Sequence, residues 1–167
     1  MTQITHSAVV PYTIEQLFKL VNDVPAYQEF IPYCKKSEVC AVSDKSLEGT
    51  LFLEYFLPRV ALFGERWQKN ELFFTTRNQW QASDRIHIEL VANRSSSDIA
   101  ALSGGWIFEK MADDQVKVTV DLQVALSNRA LNVALYAASA FVSKLLIDAF
   151  LKRAKALYDL QPVLSPT

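Results

Sequence analysis

Residues that build catalytic and metal sites are scarce in this sequence. Its 167 residues include two cysteines, two histidines and four glycines. Cys34 and Cys40 are too few for a disulfide framework, and no histidine stands near them at zinc-ligand spacing. The glycines form no phosphate-binding loop, and no serine stands in a nucleophile elbow. These absences predict a protein that is not an enzyme and that holds no metal or cofactor.

An excess of charge of one sign is also lacking. The formal net charge is -1, so bulk electrostatics does not predict DNA binding. A local basic patch remains open, because Lys152, Arg153 and Lys155 cluster near the end of the chain. These cations have two interpretations. They contact ribosomal RNA or an anionic membrane surface, or they complement the negative end of a helix dipole.

Long hydrophobic runs and targeting segments are absent as well. The first residues run directly into an alternating strand without the features of a signal or transit peptide. The longest uncharged run, Ala130 to Ser143, is too short to span a bilayer and predicts a buried or interfacial helix. We therefore expect a cytoplasmic protein, with peripheral contact at the inner membrane as an open alternative.

The hydrophobic pattern is that of an α+β domain. Residues 3 to 10 alternate as a strand. Thr13 caps a short helix, with Gln16 reaching back to it, and Pro25 ends that helix. Several alternating strands follow, and the clearest has the valines and leucines of residues 116 to 126 on one face. A helix from about Arg129 to Leu160, capped by Ser127 or Asn128, closes the chain. We expect its apolar stripe to cover the buried face of the sheet: Leu131, Leu135, Ala138, Val142, Leu145, Ala149 and Leu157. The pattern predicts a curved antiparallel sheet wrapped around this long helix, with two short helices after the first strand.

Such an arrangement predicts a hollow, since a bent sheet cannot contact a straight helix along its full length. The helix offers small residues between Ala134 and Ala140, which favours a gap. The alternative is that Trp106, Phe108 or Phe74 fills the space. The aromatic turn that contains Tyr27, Phe30, Ile31 and Tyr33 either covers the hollow as a ligand lid or closes the core.

Several short segments spread over the chain follow, in order and spacing, the pattern of one family: Leu20, Val21, Asn22, Asp23, Val24, Tyr27, Phe30, Pro32, Cys34, Thr75, Thr76, Arg77, Asn78, Gly105, Trp106, Phe108, Ala149, Phe150, Arg153, Ala154, Lys155 and Tyr158. In these residues the chain resembles the ubiquinone-binding, START-like proteins within the polyketide cyclase superfamily. That family includes mitochondrial coenzyme Q-binding proteins and bacterial ribosome association toxins. The resemblance implies the same helix-grip fold.

The resemblance also implies a ligand, ubiquinone or a similar isoprenoid lipid, carried or chaperoned in support of respiration or quinone biosynthesis. We expect residues 1–160 to form one domain and residues 161–167 a flexible tail. The residues expected to line the ligand site are Tyr27, Phe30, Ile31, Trp106, Phe141 and Leu145. Arg77 either reaches a polar head group or pairs with a strand neighbour on the wet face. For a quinone, most of the binding energy would come from buried methylene groups.

One departure from the family pattern lies around Leu57 to Gln68, where the chain is longer than that pattern by about a dozen residues. This length exceeds an ordinary hairpin connection. This apolar segment extends a hairpin, folds over the cavity mouth, or inserts at a membrane interface or partner surface. The sequence does not choose among these.

Two other functions remain open beside lipid binding. The resemblance to the toxins implies binding to the large ribosomal subunit and blocking of subunit joining. A cyclase or aromatase would need an acid or base inside the hollow. His6 and His87 lie in strand patterns, where we expect surface or satisfied half-buried groups, not general bases.

Overall fold

The computed structural model describes residues 1–61, 64–112 and 114–159, and for 55–61 and 64–69 the backbone alone. The predicted flexible tail, 161–167, lies outside these residues. The strands are β1 (Thr2–Val10), β2 (Cys34–Ser43), β3 (Ser46–Ala61), β4 (Gly64–Gln79), β5 (Arg85–Leu90), β6 (Ile99–Lys110) and β7 (Val116–Leu126). The helices are α1 (Ile14–Asn22), α2 (Tyr27–Phe30) and α3 (Arg129–Tyr158).

The seven strands form one antiparallel sheet in the order β1-β7-β6-β5-β4-β3-β2. Together with α3 and the two short helices after β1, this confirms the predicted helix-grip fold. The alternation predicted for β7 is also confirmed, since Val116, Val118, Val120 and Val124 are buried on its inward face. Gly104 and Gly105 allow close strand approach, because a Cβ at either would lie within 2.1 Å of a neighbouring carbonyl oxygen.

The start of α1 follows the predicted capping chemistry. The Thr13 hydroxyl accepts from the Gln16 backbone N–H at 3.1 Å, and the Gln16 side chain accepts from the Thr13 N–H at 3.0 Å. This reciprocal pair satisfies two donors that a helix end leaves open. A 3-10 turn, Val24–Ala26, contains Pro25 and leads directly into α2.

The segment predicted to depart from the family pattern extends a hairpin. The β3–β4 register runs unbroken from Ser46 opposite Gln79 to Ala61 opposite Gly64. β2 pairs with β3 only as far as Leu53, and β5 pairs with β4 only over Thr76–Gln79. Among the described residues, the outer half of this hairpin is therefore a two-stranded arm beyond the main sheet.

The long helix α3 begins with Asn128 as its cap, whose Oδ1 accepts from the Leu131 N–H at 3.1 Å. It packs chiefly on β1 and β7. Its buried residues begin at the middle of the helix and continue through the second half: Ser143, Ile147, Ala149, Phe150 and Ala154. The sequence predicted a buried stripe along the whole helix. In the structure, no residue of α3 before Ser143 is buried.

Candidate ligand-binding interior

Four aromatic rings from three elements meet at one end of the interior. Phe150 of α3 lies at the centre, with ring centroids 4.9 Å from Trp106, 5.3 Å from Tyr27 and 5.2 Å from Phe30. All three pairs are edge-to-face, the arrangement that aromatic quadrupoles favour. We call this end, where the protein's own side chains fill the space, the closed end. Three residues predicted to line the ligand site, Tyr27, Phe30 and Trp106, belong to it.

Tyr27 is fixed by its hydroxyl as well as by its ring. The phenol donates a hydrogen bond to the backbone carbonyl of Val21 at the end of α1. Burial, with a smaller contribution from the nearby charge of Asp23, raises the pKa of Tyr27 far above its ordinary value. The phenol stays neutral at physiological pH and serves as a structural donor.

The other end of the interior is less completely covered. On the inward side of the sheet, a group of apolar side chains is only half-buried: Leu53, Phe74, Leu90, Leu122 and Leu126. The first half of α3 carries a matching half-buried stripe, which Leu145 continues just past the middle of the helix: Leu131, Leu135, Ala138 and Val142. We call this region the open end. Of the predicted ligand residues, Leu145 belongs to the open end, and Ile31 is half-buried next to the closed end.

Phe141 does not lie in the interior, which corrects the sequence analysis. Its side chain is 65% exposed, whereas its neighbour Val142 is half-buried. Consecutive helical residues point about 100° apart, so only one of this pair can face the sheet. Phe141 therefore leaves the set of residues expected to line a ligand.

Arg77 takes the second of its two predicted alternatives. Its Nε and Nη2 both donate to Oε1 of Glu48, at 2.9 and 2.8 Å, and Glu48 is its register partner on β3. Arg94 adds a contact to Oε2 of the same carboxylate at 2.9 Å. The side chains of residues 72, 74, 76 and 78 point inward from β4. Because successive side chains of a strand alternate between faces, Arg77 lies on the outer face. It does not reach the interior.

The predicted basic patch divides into two kinds of residue. Lys152 and Lys155 are exposed. Arg153 instead donates to Glu29 Oε2 at 3.1 Å, and its guanidinium lies 5.6 Å from the centre of the Phe30 ring. These contacts fasten α2 to α3 at the closed end. Sequence reasoning missed this role, although Glu29 and Phe30 stand together in the aromatic turn.

Two open hollows are lined by none of the half-buried residues of the open end. One of about 370 Å³ lies where α3 begins beside the edge of the sheet, lined by Met1, Thr2, Ala125, Arg129, Asn132, Val133 and Tyr136. Another of about 180 Å³ surrounds the double glycine, lined by Arg85, Ile86, His87, Gly104, Gly105, Trp106, Ile107 and Asp121. Of the residues expected to line the ligand site, Trp106 borders the smaller hollow and none borders the larger one.

The sequence matches, over residues 10–151, the family described as polyketide cyclase / dehydrase and lipid transport. The chain belongs to this family. It is 31% identical over 157 residues to the ribosome association toxin RatA of Pseudomonas aeruginosa, covering 94% of this chain and 98% of the relative. The predicted resemblance is confirmed at the level of the family and of these toxins.

Solved structures share the fold of this family member. A START superfamily protein from Mycobacterium smegmatis superposes with a TM-score of 0.72 at 16% identity, covering 94% of this chain and 99% of that one. The Zhui aromatase/cyclase from Streptomyces sp. R1128 gives 0.68 at 14% identity, covering 92% and 93%. Because both identities are low, these likenesses establish the fold alone.

Polar groups on the inward side decide what chemistry this family member can support. His6 is half-buried on the inward face of β1, between Ile4 and Ala8. The Asn78 side chain donates to Asn22 Oδ1 at 3.1 Å, and Asn22 Nδ2 is buried without a hydrogen-bond partner. Within the described ranges no three His, Cys, Asp or Glu side chains could hold a metal ion. The interior thus offers hydrogen-bond donors and one imidazole.

The two cysteines are free thiols. Cys34 is buried, and burial raises the pKa of its thiol above the ordinary value, while hydrogen bonds with the Lys36 backbone and the Ser37 side chain lower it in part. A raised pKa makes the reactive thiolate scarce at neutral pH. Cys34 is therefore a small apolar core residue at the closed end. Cys40 is exposed, and its sulfur lies 3.0 Å from Thr50 Oγ1.

Proposed function

We propose that this chain is a non-catalytic protein that binds an apolar lipid, an isoprenoid such as ubiquinone, at the open end. The observation that carries the proposal is the pair of facing apolar surfaces there. Five inward side chains of the sheet and the stripe on the first half of α3 are only half-buried, while the closed end is well packed; the five are Leu53, Phe74, Leu90, Leu122 and Leu126. A lipid chain between them would complete the burial that the protein itself leaves unfinished.

The energetics of such a ligand suit these surfaces. Each methylene removed from water contributes about 0.8 kcal/mol, so a few isoprene units supply most of the binding without a charged contact. The head group needs little more than a hydrogen bond. Asn22 Nδ2 supports this part of the proposal, because it is a buried donor without a partner and a quinone carbonyl is an acceptor.

Extraction of the native protein tests lipid binding. The gently purified protein is treated with organic solvent, the extract is analysed by mass spectrometry, and stripped protein is offered ubiquinone in detergent-free solution. We expect recovery of an isoprenoid or uptake of the added quinone. Repeated recovery of empty protein that takes up no quinone would reject the proposal.

A matched pair of helix variants locates the ligand. Leu135→Asn places an amide in the half-buried stripe that faces the sheet, and Ala137→Asn places the same amide on the exposed side of the same turn. We expect Leu135→Asn to lower quinone retention about tenfold, since it exchanges apolar contact for a desolvated polar group. Ala137→Asn should bind as the native chain does. Equal retention by the two variants would exclude the open end as the site.

Association with the large ribosomal subunit is a second candidate function. What favours it is the similarity over nearly the full chain to proteins named ribosome association toxins. Among the three predicted basic residues, exposed Lys152 and Lys155 remain available for RNA phosphates, while Arg153 is held by α2. Such binding would place the protein in the cytoplasm.

Co-sedimentation with isolated large subunits tests this candidate. We expect salt-sensitive binding that weakens when Lys152 and Lys155 are both changed to Gln, because removing a cation from a phosphate lowers both the affinity and its salt dependence. The control changes two other exposed lysines, Lys45 and Lys110, to Gln. Binding that both double variants retain equally would exclude this patch.

We propose that the protein does not catalyse a reaction. The family description includes cyclases and dehydratases, and His6 is the inward imidazole that such chemistry would use. If the protein only binds, His6→Gln leaves quinone uptake within about twofold of native, since it preserves hydrogen bonding. Turnover of a polyketide substrate that disappears in His6→Gln would establish an enzyme instead.

A further inference from the structure

The first half of α3 is far more apolar than its burial explains. In the part of the chain that the structure describes, α3 is the one helix long and apolar enough to cross a membrane by length and composition. Its most apolar 18 residues have a mean hydropathy of 1.6, yet only 11% of them are buried in the protein. A core helix of this composition is normally mostly buried. Something other than this domain accounts for the apolar surface.

The exposed apolar residues form one face. Val133 is 64% exposed, Tyr136 73% and Phe141 65%, with Ala137 and Ala140 between them. Successive members of this set are three or one residues apart, so each helical turn brings the next members back to the same broad side of the helix. We call this side the outer face of α3.

A lipid bound at the open end would not cover the outer face. The stripe that faces the sheet consists of other residues, among them Leu131, Leu135 and Val142. The outer face instead continues onto Met1, which is 71% exposed, around the hollow of about 370 Å³. The apolar area is therefore a continuous external surface with its own requirement for a partner.

The charges around the outer face identify that partner. No charged residue occurs from 130 to 143, and cations stand at both ends, Arg129 and Lys144. Lys144 contacts Asp148 at 2.5 Å, but both side chains are more than half exposed, so this pair neutralises little. A second copy fits poorly, because antiparallel helices would bring Arg129 against Lys144 and parallel helices would bring Arg129 against Arg129. RNA fits poorly too, since Val133, Ala137 and Ala140 offer a phosphate backbone no donor.

We propose that the outer face of α3 docks on an anionic phospholipid surface. The helix would lie in the plane of the interface, with Val133, Tyr136 and Phe141 at the boundary of the acyl chains. Arg129 and Lys144 would contact the lipid phosphates. An apolar helix face flanked by cations is the pattern that interfacial helices use, and anionic head groups supply the complementary charge. The buried second half of α3 keeps the helix on the membrane surface and out of its core.

Vesicle co-sedimentation of the full chain tests this docking. The probes are vesicles rich in phosphatidylglycerol and, as the neutral comparison, vesicles of phosphatidylcholine. We expect binding to the anionic vesicles that is weaker by about tenfold or more on the neutral ones and falls with added salt. A Tyr136→Trp variant should show a blue-shifted emission with the anionic vesicles. An unshifted emission, or equal binding to both vesicles, would overturn the proposal.

Two double variants and a matched control assign the surface. Val133→Ser with Phe141→Ser should weaken vesicle binding about tenfold or more, because it removes the inserted apolar groups. Arg129→Gln with Lys144→Gln should remove most of the preference for anionic lipid. The control, Val42→Ser with Met111→Ser, changes two exposed apolar residues elsewhere and should bind as the native chain does. If the first variant binds like the control, the proposal is wrong.

The remaining outcomes also decide the question. A dimer in analytical ultracentrifugation that Val133→Ser with Phe141→Ser dissolves would assign the outer face to a second copy and overturn membrane docking. Binding to an acidic protein in the absence of any vesicle binding would overturn it as well. The docking does not depend on lipid carriage, because quinone uptake is measured without vesicles. A variant that loses vesicle binding and keeps quinone uptake, or the reverse, separates the two proposals.

Discussion

The two halves of α3 belong to one continuous helix but have different surroundings. In the second half, Ile147, Phe150 and Ala154 are at most 3% exposed, and the Phe150 ring contacts aromatic residues from α2 and β6. In the first half no residue before Ser143 is buried, although the composition is at least as apolar. The closed end therefore stabilises the domain, and the first half of α3 presents apolar surface to other molecules. Apolar composition alone does not mark a core.

The largest expected difference between the halves is in stability. Phe150→Ala removes the ring at the centre of the aromatic cluster and should cost about 3–5 kcal/mol in the free energy of unfolding. Leu135→Ala removes a half-buried side chain and should cost about 1 kcal/mol. Urea unfolding followed by circular dichroism measures both. Equal costs would mean that the open end is packed as tightly as the closed end.

An alkaline titration also distinguishes the closed end. The folded pKa of Tyr27 is raised above its ordinary value of 10.0, so the folded state holds the proton more tightly than the unfolded state. Its contribution to stability is complete below pH 10 and is lost as the pH rises toward the folded pKa, by about 1.4 kcal/mol per pH unit. Tyr27→Phe should show a shallower alkaline decline. If the alkaline decline is unchanged in Tyr27→Phe, then Tyr12 and Tyr158 cause it, because burial also raises their pKa values.

The contact between α2 and α3 should contribute a smaller amount. Arg153→Met loses the ion pair with Glu29 and the contact with the Phe30 ring, and we expect a cost of about 1 kcal/mol. Lys152→Met, one residue earlier and exposed, should change the free energy of unfolding by less than about 0.5 kcal/mol. Thermal or urea unfolding of the pair tests the assignment. Indistinguishable variants would show that Arg153 is another solvated cation.

The sequence predicted those features that follow from local chemistry. Alternation identified the inward face of β7, and the Thr13 and Gln16 pair identified the start of α1, because both depend on near neighbours. The partners of Arg77 and Arg153 depend on strand register and helix rotation, which no local pattern specifies. The orientation of Phe141 was wrong for a related reason. Residues 130 to 143 carry no charge on any side, so no polar face marked which side of the helix meets solvent.

The smallest expected change in stability comes from Phe141→Asp, which the sequence alone would place among the most damaging substitutions. Since Phe141 is 65% exposed, a carboxylate there stays hydrated, and the free energy of unfolding should shift by less than about 0.5 kcal/mol. Leu145→Asp, half-buried toward the open end, should cost more, because part of the charge is desolvated. Urea unfolding compares the two. A Phe141→Asp chain that unfolds as readily as Leu145→Asp would show that the outer face of α3 is part of the core in solution.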